Sequence, residues 1–109
     1  MATTKIDRNA NVFTVINVFD CEPGNQDKLI AALEKATQDV FVRLPGFVSA
    51  NLHKSLDGKH VVNYAQWTSE ENFTKMQKTP MVQQHVKEVA ALAKTIAIPA
   101  KVAAVFGRD

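Results

Sequence analysis

Residues 47–67 read FVSANLHKSLDGKHVVNYAQW, two runs rich in β-branched and aromatic residues on either side of Leu56-Asp57-Gly58. Asp-Gly between such runs signals a hairpin, because glycine accepts the positive φ that a tight reversal demands. Two closures fit. A two-residue turn sets His53 opposite Asn63, whereas a three-residue loop with glycine in the left-handed position pairs Ser55 with Lys59 and His53 with Val61. Side chains alternate along a strand, so a slip of one residue would exchange the faces. The three-residue loop is preferred because it gathers Phe47, Asn51, His53, Asn63, Ala65 and Trp67 on one side. Val48, Ala50, Leu52, Val62 and Tyr64 then fall on the other.

Upstream of this hairpin, Val12 to Asp20 (VFTVINVFD) reads as a strand that is apolar on both sides, with Phe13, Val15, Asn17 and Phe19 pointing one way and Thr14, Ile16 and Val18 the other. Glu22-Pro23-Gly24-Asn25 stops it, and Asn25 or Gly24 caps a helix beginning at Gln26. Leu29, Ala32, Leu33, Ala36 and Val40 recur at helical intervals, giving that helix one apolar stripe before Pro45-Gly46. Downstream, Thr68 and Glu71 have capping-box spacing and open a short helix whose Phe73 and Met76 look inward. Thr79-Pro80 starts another, with Val82, Val86, Val89 and Ala93 on its apolar side. Ile98 to Phe106 supplies a fourth strand. The order β, α, β, β, α, β predicts an α+β, ferredoxin-like split βαβ fold over residues 1–109, a four-stranded antiparallel sheet with helices on one face and an arm-like or disordered segment at residues 1–10.

Two amphipathic helical segments cover one face of that sheet, yet Ile16, Val18, Val62 and Tyr64 make the opposite face apolar as well. A patch of that size does not ordinarily face water, and the polar arm MATTKIDRNA is a poor cover for it. A second copy in a two-fold arrangement is the simplest supplier, which predicts a homodimer joined through sheet faces. Composition removes other classes. Thirteen Lys and Arg stand against eleven Asp and Glu with no basic block, so nucleic acid is not expected as a partner. No apolar run is long enough for a membrane span, and the first ten residues carry no secretory core, so the expected setting is cytoplasmic. One cysteine, Cys21, and three scattered histidines form no metal-ligand spacing, and no metal is expected.

Within the strand VVNYAQW, the amide of Asn63 sits where desolvation is costly unless its groups are bonded. Strand parity aligns it with Ala65 and Trp67, so a pocket between sheet and helices would hold a polar anchor beside a large flat ring, which suits an aromatic ligand. The plainer alternative is that Asn63 bonds to its neighbours and Trp67 plugs the core edge. His53 is a candidate proton acceptor by its titration range. His85, on the later helix beside Val82 and Val86, either reaches the pocket or remains outside, and His60 beside the turn reads as solvated. Asn51, Phe73 and Met76 are the candidate lining. There is no phosphate loop, no nucleophile elbow and no paired acidic motif, so no cofactor is expected.

Pro23-Gly24, the block LPGFVSANLHKSLDG from Leu44 to Gly58, and VVNYAQWTSEENF from Val61 to Phe73 resemble the antibiotic biosynthesis monooxygenase-like proteins of the dimeric α+β barrel group, in particular small cofactor-independent anthrone oxygenases of aromatic polyketide pathways. The resemblance runs from about Val12 to Phe106. It implies a homodimer with a separate pocket in each subunit, a small aromatic phenol, anthrone or hydroquinone as substrate with O₂, and a quinone as product. Asn63 and Trp67 match the pocket asparagine and tryptophan of such relatives and His53 the strand histidine. Where those relatives carry a tyrosine after the tryptophan and an arginine on the later helix, this chain has Phe73 and either His85 or Lys87. The same superfamily offers alternatives: a non-catalytic small-ligand binder, a haem-degrading protein, for which no histidine here stands out as iron ligand, or an isomerase.

Overall fold

The computed structural model describes residues 2–108; Met1 and Asp109 lie outside the described residues. Four strands, β1 (Phe13–Cys21), β2 (Phe47–Lys54), β3 (His60–Trp67) and β4 (Ala93–Ala100), form one antiparallel sheet in the order β2-β3-β1-β4. Three helices, α1 (Gln26–Asp39), α2 (Glu70–Gln77) and α3 (Pro80–Ala90), supply the second layer. This is the expected ferredoxin-like arrangement, with the long loop-free crossover carried by α1. Among the described residues no helix is long and apolar enough to cross a membrane.

The α1 stripe behaves as its spacing demands. Leu29, Leu33 and Ala36 are buried, and the first two join Phe19, Val61 and Val89 in the hydrophobic core at one end of the sheet. Burying each such side chain contributes roughly 1.5–3 kcal/mol. Asn25 is the residue before α1 and makes no side-chain cap bond. Gln26 is instead buried at 5% exposure. Its Nε2 donates to the carbonyls of Ser55 and His60, each at 3.0 Å, and so clamps the base of the β2–β3 hairpin to the helix.

That clamp bears on the register, which differs from both closures read in the sequence. His53 pairs with Val62 and Lys54 with Val61, and the Ser55 N–H donates to His60 O at 3.1 Å, so four residues, Leu56 to Lys59, make the connection. The cause is local. The Asp57 carboxylate accepts from Ser55 Oγ at 2.6 Å and from the Lys59 N–H at 2.9 Å, holding a wider loop than Asp-Gly alone requires, while Gly58 takes φ +77°. The one-residue slip sends Asn51 and His53 to the outer face and brings Ala50 and Leu52 to the helix side. Phe47 nevertheless stays beside Trp67, because an irregularity between Phe47 and Ser49 takes up one residue.

Three further expectations are corrected. Ser69, not Thr68, caps α2, its side chain accepting from the Asn72 N–H at 3.1 Å. The fourth strand starts at Ala93 and ends at Ala100, earlier than the expected Ile98 to Phe106, because α3 stops at Ala90 and β4 pairs with β1 from Cys21↔Ala93 onward. Ala93 is therefore a strand residue, and Val86 on α3 is 57% exposed where Val82 and Val89 are buried. Of the segment expected to be arm-like or disordered, residues 2–10 are described, and Thr4 and Lys5 bond onto the outer face of the sheet.

Candidate functional site

Antiparallel pairing sorts the helix-facing side of the sheet into rows. One row is Leu52, Asn63, Asn17 and Ala97 across β2, β3, β1 and β4; the next is Ala50, Ala65, Val15 and Pro99; beyond it Trp67 stands between Phe47 and Phe13. Asn63 and Asn17 are thus direct cross-strand neighbours, the distance at which side chains on one face interact. Both are partly exposed, and Ala97 and Pro99 on β4 are exposed, so the helices leave the floor open on the β4 side, while Ala65 and Val15 in the next row are buried.

Geometry fixes how the Asn63 amide lies. Its Oδ1 accepts from the backbone N–H of Asn51 at 3.1 Å. A backbone N–H can only donate, so the oxygen end faces β2 and the Nδ2 donors point away from it. The end of the side chain that is free to act is therefore an N–H donor suited to an oxygen carrying negative charge.

The aromatic side chains form one cluster. Trp67 is 3% exposed and packs edge-on against Phe47 at 5.6 Å and Phe73 at 6.3 Å between ring centroids, and Phe73 lies 5.4 Å from Phe13. Such pairs add roughly 0.5–1.5 kcal/mol beyond area burial and hold the rings in place. The cluster is latched by Gly46, which has φ +83° and whose carbonyl accepts from the Thr68 N–H at 2.8 Å. A Cβ at this position would come within 2.5 Å of the Asn72 side chain, so the start of β2 and the start of α2 meet only through glycine.

The remaining candidates are dispersed. His53 is exposed on the opposite face, its Nδ1 3.0 Å from Asn51 O, and does not share a face with Asn63. Asn51 is also on that face, with Nδ2 donating to Tyr64 O at 2.8 Å and to Ser49 Oγ at 3.2 Å and Oδ1 accepting from Thr4 Oγ1. Met76 lines a small recess of about 50 Å³ with Leu44, Pro45 and Thr79, apart from the aromatic cluster. His85 is half-buried in the helical layer with its ring edge-on to Phe41 at 5.8 Å. Burial holds its imidazole below the ordinary histidine range, against the opposing pull of the Glu88 carboxylate. His60 bonds Asp20 at 2.9 Å near the hairpin end. The Cys21 thiol is pushed up by burial and by the carboxylates of Asp20, Asp57 and Glu22, which makes it a poor nucleophile. Among the described residues no group of three or more His, Cys, Asp or Glu converges to hold a metal ion.

Of the residues singled out in the sequence, the fold brings Asn63, Trp67 and Phe73 to one side of the sheet and separates them from Asn51 and His53. Asn17 joins them unannounced. Its signal was an amide inside an otherwise apolar strand, and only the β1–β3 register turns that into a pair.

A model of the family described as antibiotic biosynthesis monooxygenase matches residues 12–88. Tetracenomycin-F1 monooxygenase of Streptomyces glaucescens is 40% identical over 107 residues, covering 98% of this chain and 94% of that protein. Among solved structures, ActVA-Orf6 of Streptomyces coelicolor, a monooxygenase in complex with the ligand Nanaomycin D, superposes with a TM-score of 0.72 at 28% identity, over 87% of this chain and 92% of that one. SnoaB of Streptomyces nogalater, a cofactor-independent oxygenase, superposes with a TM-score of 0.75 at 24% identity, over 91% of this chain and all of that one, and shares the fold.

Proposed function

The chain belongs to the antibiotic biosynthesis monooxygenase family, and on that premise we propose that it oxidises a small electron-rich aromatic, a phenol, anthrone or hydroquinone, to a quinone with O₂ and without a cofactor. The observation that carries the reading is the Asn63 amide, held by a backbone donor so that its own N–H groups face the open floor beside Asn17. A substrate ring seated at the exposed Ala97 and Pro99 would meet the two amides with its oxygen-bearing edge, the buried Ala65 and Val15 row lying between it and the aromatic cluster.

For an anthrone-type CH₂ flanked by two rings the chemistry balances. Removal of one C–H proton leaves a carbanion whose charge spreads onto the ring oxygen, where Asn63 Nδ2 stabilises it. The carbanion transfers one electron to O₂, the resulting radical pair combines at carbon, and protonation gives a hydroperoxide. Loss of the second C–H proton with cleavage of the O–O bond yields the carbonyl, and the departing hydroxide takes up a proton to leave as water. One oxygen atom ends in product and one in water. Trp67, nearly fully buried, and Phe73 form a fixed apolar wall behind the site that helps exclude water from the charged intermediate. His85, whose imidazole burial holds below the ordinary histidine range, is the histidine of the helical layer suited to take up a proton; His53, on the other face, is not given that role.

The reading includes a homodimer through the outer faces. Ile96 and Ile98, beside Val18 and Ile16, are 57% and 45% exposed in the single chain, and such a surface is stabilised by cover. Oxygen-electrode traces on hydroxylated anthrones and hydroquinones in chelator-treated buffer, with ¹⁸O₂ and mass spectrometry of the product, test the whole proposal. It expects O₂ uptake that survives chelation and one labelled oxygen in the quinone formed from an anthrone, a hydroquinone already carrying both product oxygens and giving unlabelled quinone; uptake at the rate of protein-free buffer for every member of the panel would overturn it.

A further inference from the structure

The outer face of the sheet is a grid with a divided character. Its central rows carry Tyr64, Ile16 and Ile98, then Val62, Val18 and Ile96, while the β2 column is polar and the row at the arm end consists of Ser49, Gln66, Thr14 and Ala100. Gln66 is 4% exposed although no helix lies on this side. The N-terminal arm is the reason. Gln66 Nε2 donates to Lys5 O at 2.9 Å, its Oε1 accepts from Ser49 Oγ at 2.7 Å, and Thr4 Oγ1 donates to Asn51 Oδ1. The arm then turns at Asp7, whose carbonyl accepts from the Ala10 N–H at 3.1 Å, and enters β1. Between it and the start of the C-terminal tail runs a cleft of about 530 Å³, lined by Asp7, Arg8, Thr14, Gln66 and Lys101 among others.

From this we infer that the arm is a fixed strap of the interface between two copies, satisfying Asn51 and Gln66 within its own chain so that this corner can be covered by the partner. The inference rests on the homodimer reading above and adds which part of the chain the partner must cover. Size decides the matter. Three strands at about 4.8 Å spacing by two same-face rows about 6.6 Å apart give the apolar field a projected area of roughly 200 Å². A stable interface buries about 800 Å² of accessible surface per partner, so even allowing for surface relief the field falls well short alone. A second copy seated on it has to extend over a flank. The arm corner is the flank whose amides, Asn51 and Gln66, already have partners, leaving the buried Thr14 Oγ1 as the polar atom of that row without a partner among the described residues, and polar groups without partners oppose burial. Ile6 on the arm, 47% exposed, offers further apolar surface there.

Limited trypsin digestion of the intact chain across a dilution series, read by mass spectrometry alongside sedimentation velocity, tests this. The bonds after Lys5 and Arg8 lie in the arm, and the bond after the exposed Lys78, on the helical side, serves as internal reference. Moving from monomer to dimer concentrations should slow arm cleavage about tenfold or more while the reference is unchanged, as expected when opening must precede cutting. Removing residues 2–6 should weaken dimerisation about tenfold, a shift read directly from the sedimentation isotherm. A dimer whose arm is cut as fast as that of the monomer would overturn the strap and leave the dimer standing. A chain that stays monomeric throughout would overturn both.

Discussion

Asn51 and Asn63 sit on neighbouring strands, and both are amides in a sheet with apolar surroundings, yet they face opposite ways. Every polar end of the Asn51 side chain is occupied by the protein: Thr4 at its oxygen, Tyr64 O and Ser49 Oγ at its nitrogen. Among the described residues Asn63 is held only at its oxygen, by the Asn51 N–H. The difference teaches how to tell a structural amide from a working one in this fold. On the outer face the chain brings its own arm to complete the hydrogen bonding, whereas on the helix side the proposed function gives the donors to the substrate.

Asn63→Ala should break the comparison most severely. Removing a single oxyanion donor costs about 10²–10³ in turnover, and because the side chain is partly exposed the melting temperature should move little; a steady-state assay paired with thermal melts checks both halves. Gly46→Ala follows. The positive φ and the collision with Asn72 should cost about 1–3 kcal/mol of stability, and because the latch carries Phe47 and Phe73, near-ultraviolet circular dichroism of Trp67 should change as well. Asn51→Ala inverts the first prediction: it removes bonds from a satisfied network, so about 1–2 kcal/mol of stability should be lost in urea titration, while turnover, which depends on the retained backbone N–H, stays near wild type.

The smallest effect is on pH. Burial depresses the folded pKa of His85, so as pH falls below the ordinary histidine value of about 6.5 the unfolded chain takes up the proton first. Stability from this group is therefore present above that value and is lost as pH falls toward the depressed folded pKa. His85→Phe should flatten this part of the stability profile relative to wild type; parallel profiles would show that the ring is not paying a burial cost.

Much of this was legible in the residues. Amphipathic spacing in Leu29, Leu33 and Ala36 located the main helix and its buried face, Thr79-Pro80 located the third helix, and strand parity placed Asn63 with Trp67. The hairpin register was not, because it depends on hydrogen bonds from Asp57 and on the Gln26 clamp, a residue 29 positions from Ser55 in the chain. One residue of slip moved His53 and Asn51 to the far face. The irregularity between Phe47 and Ser49 concealed the error locally, since it kept Phe47 beside Trp67 in either register. The end of the fourth strand was misplaced for a related reason: VAAVF from Val102 to Phe106 has strand composition, but β1 runs out of pairing residues at Thr14↔Ala100. Asn17 needed its partner strand before it meant anything.

The most direct measurement compares two variants on one substrate. With a hydroxylated anthrone in air-saturated, chelator-treated buffer, Asn51→Ala should consume O₂ at close to the wild-type rate, whereas Asn63→Ala should fall by about 100-fold or more. Equal rates for the two, whether both high or both low, would contradict the assignment of the helix-side amide as the group that meets the substrate.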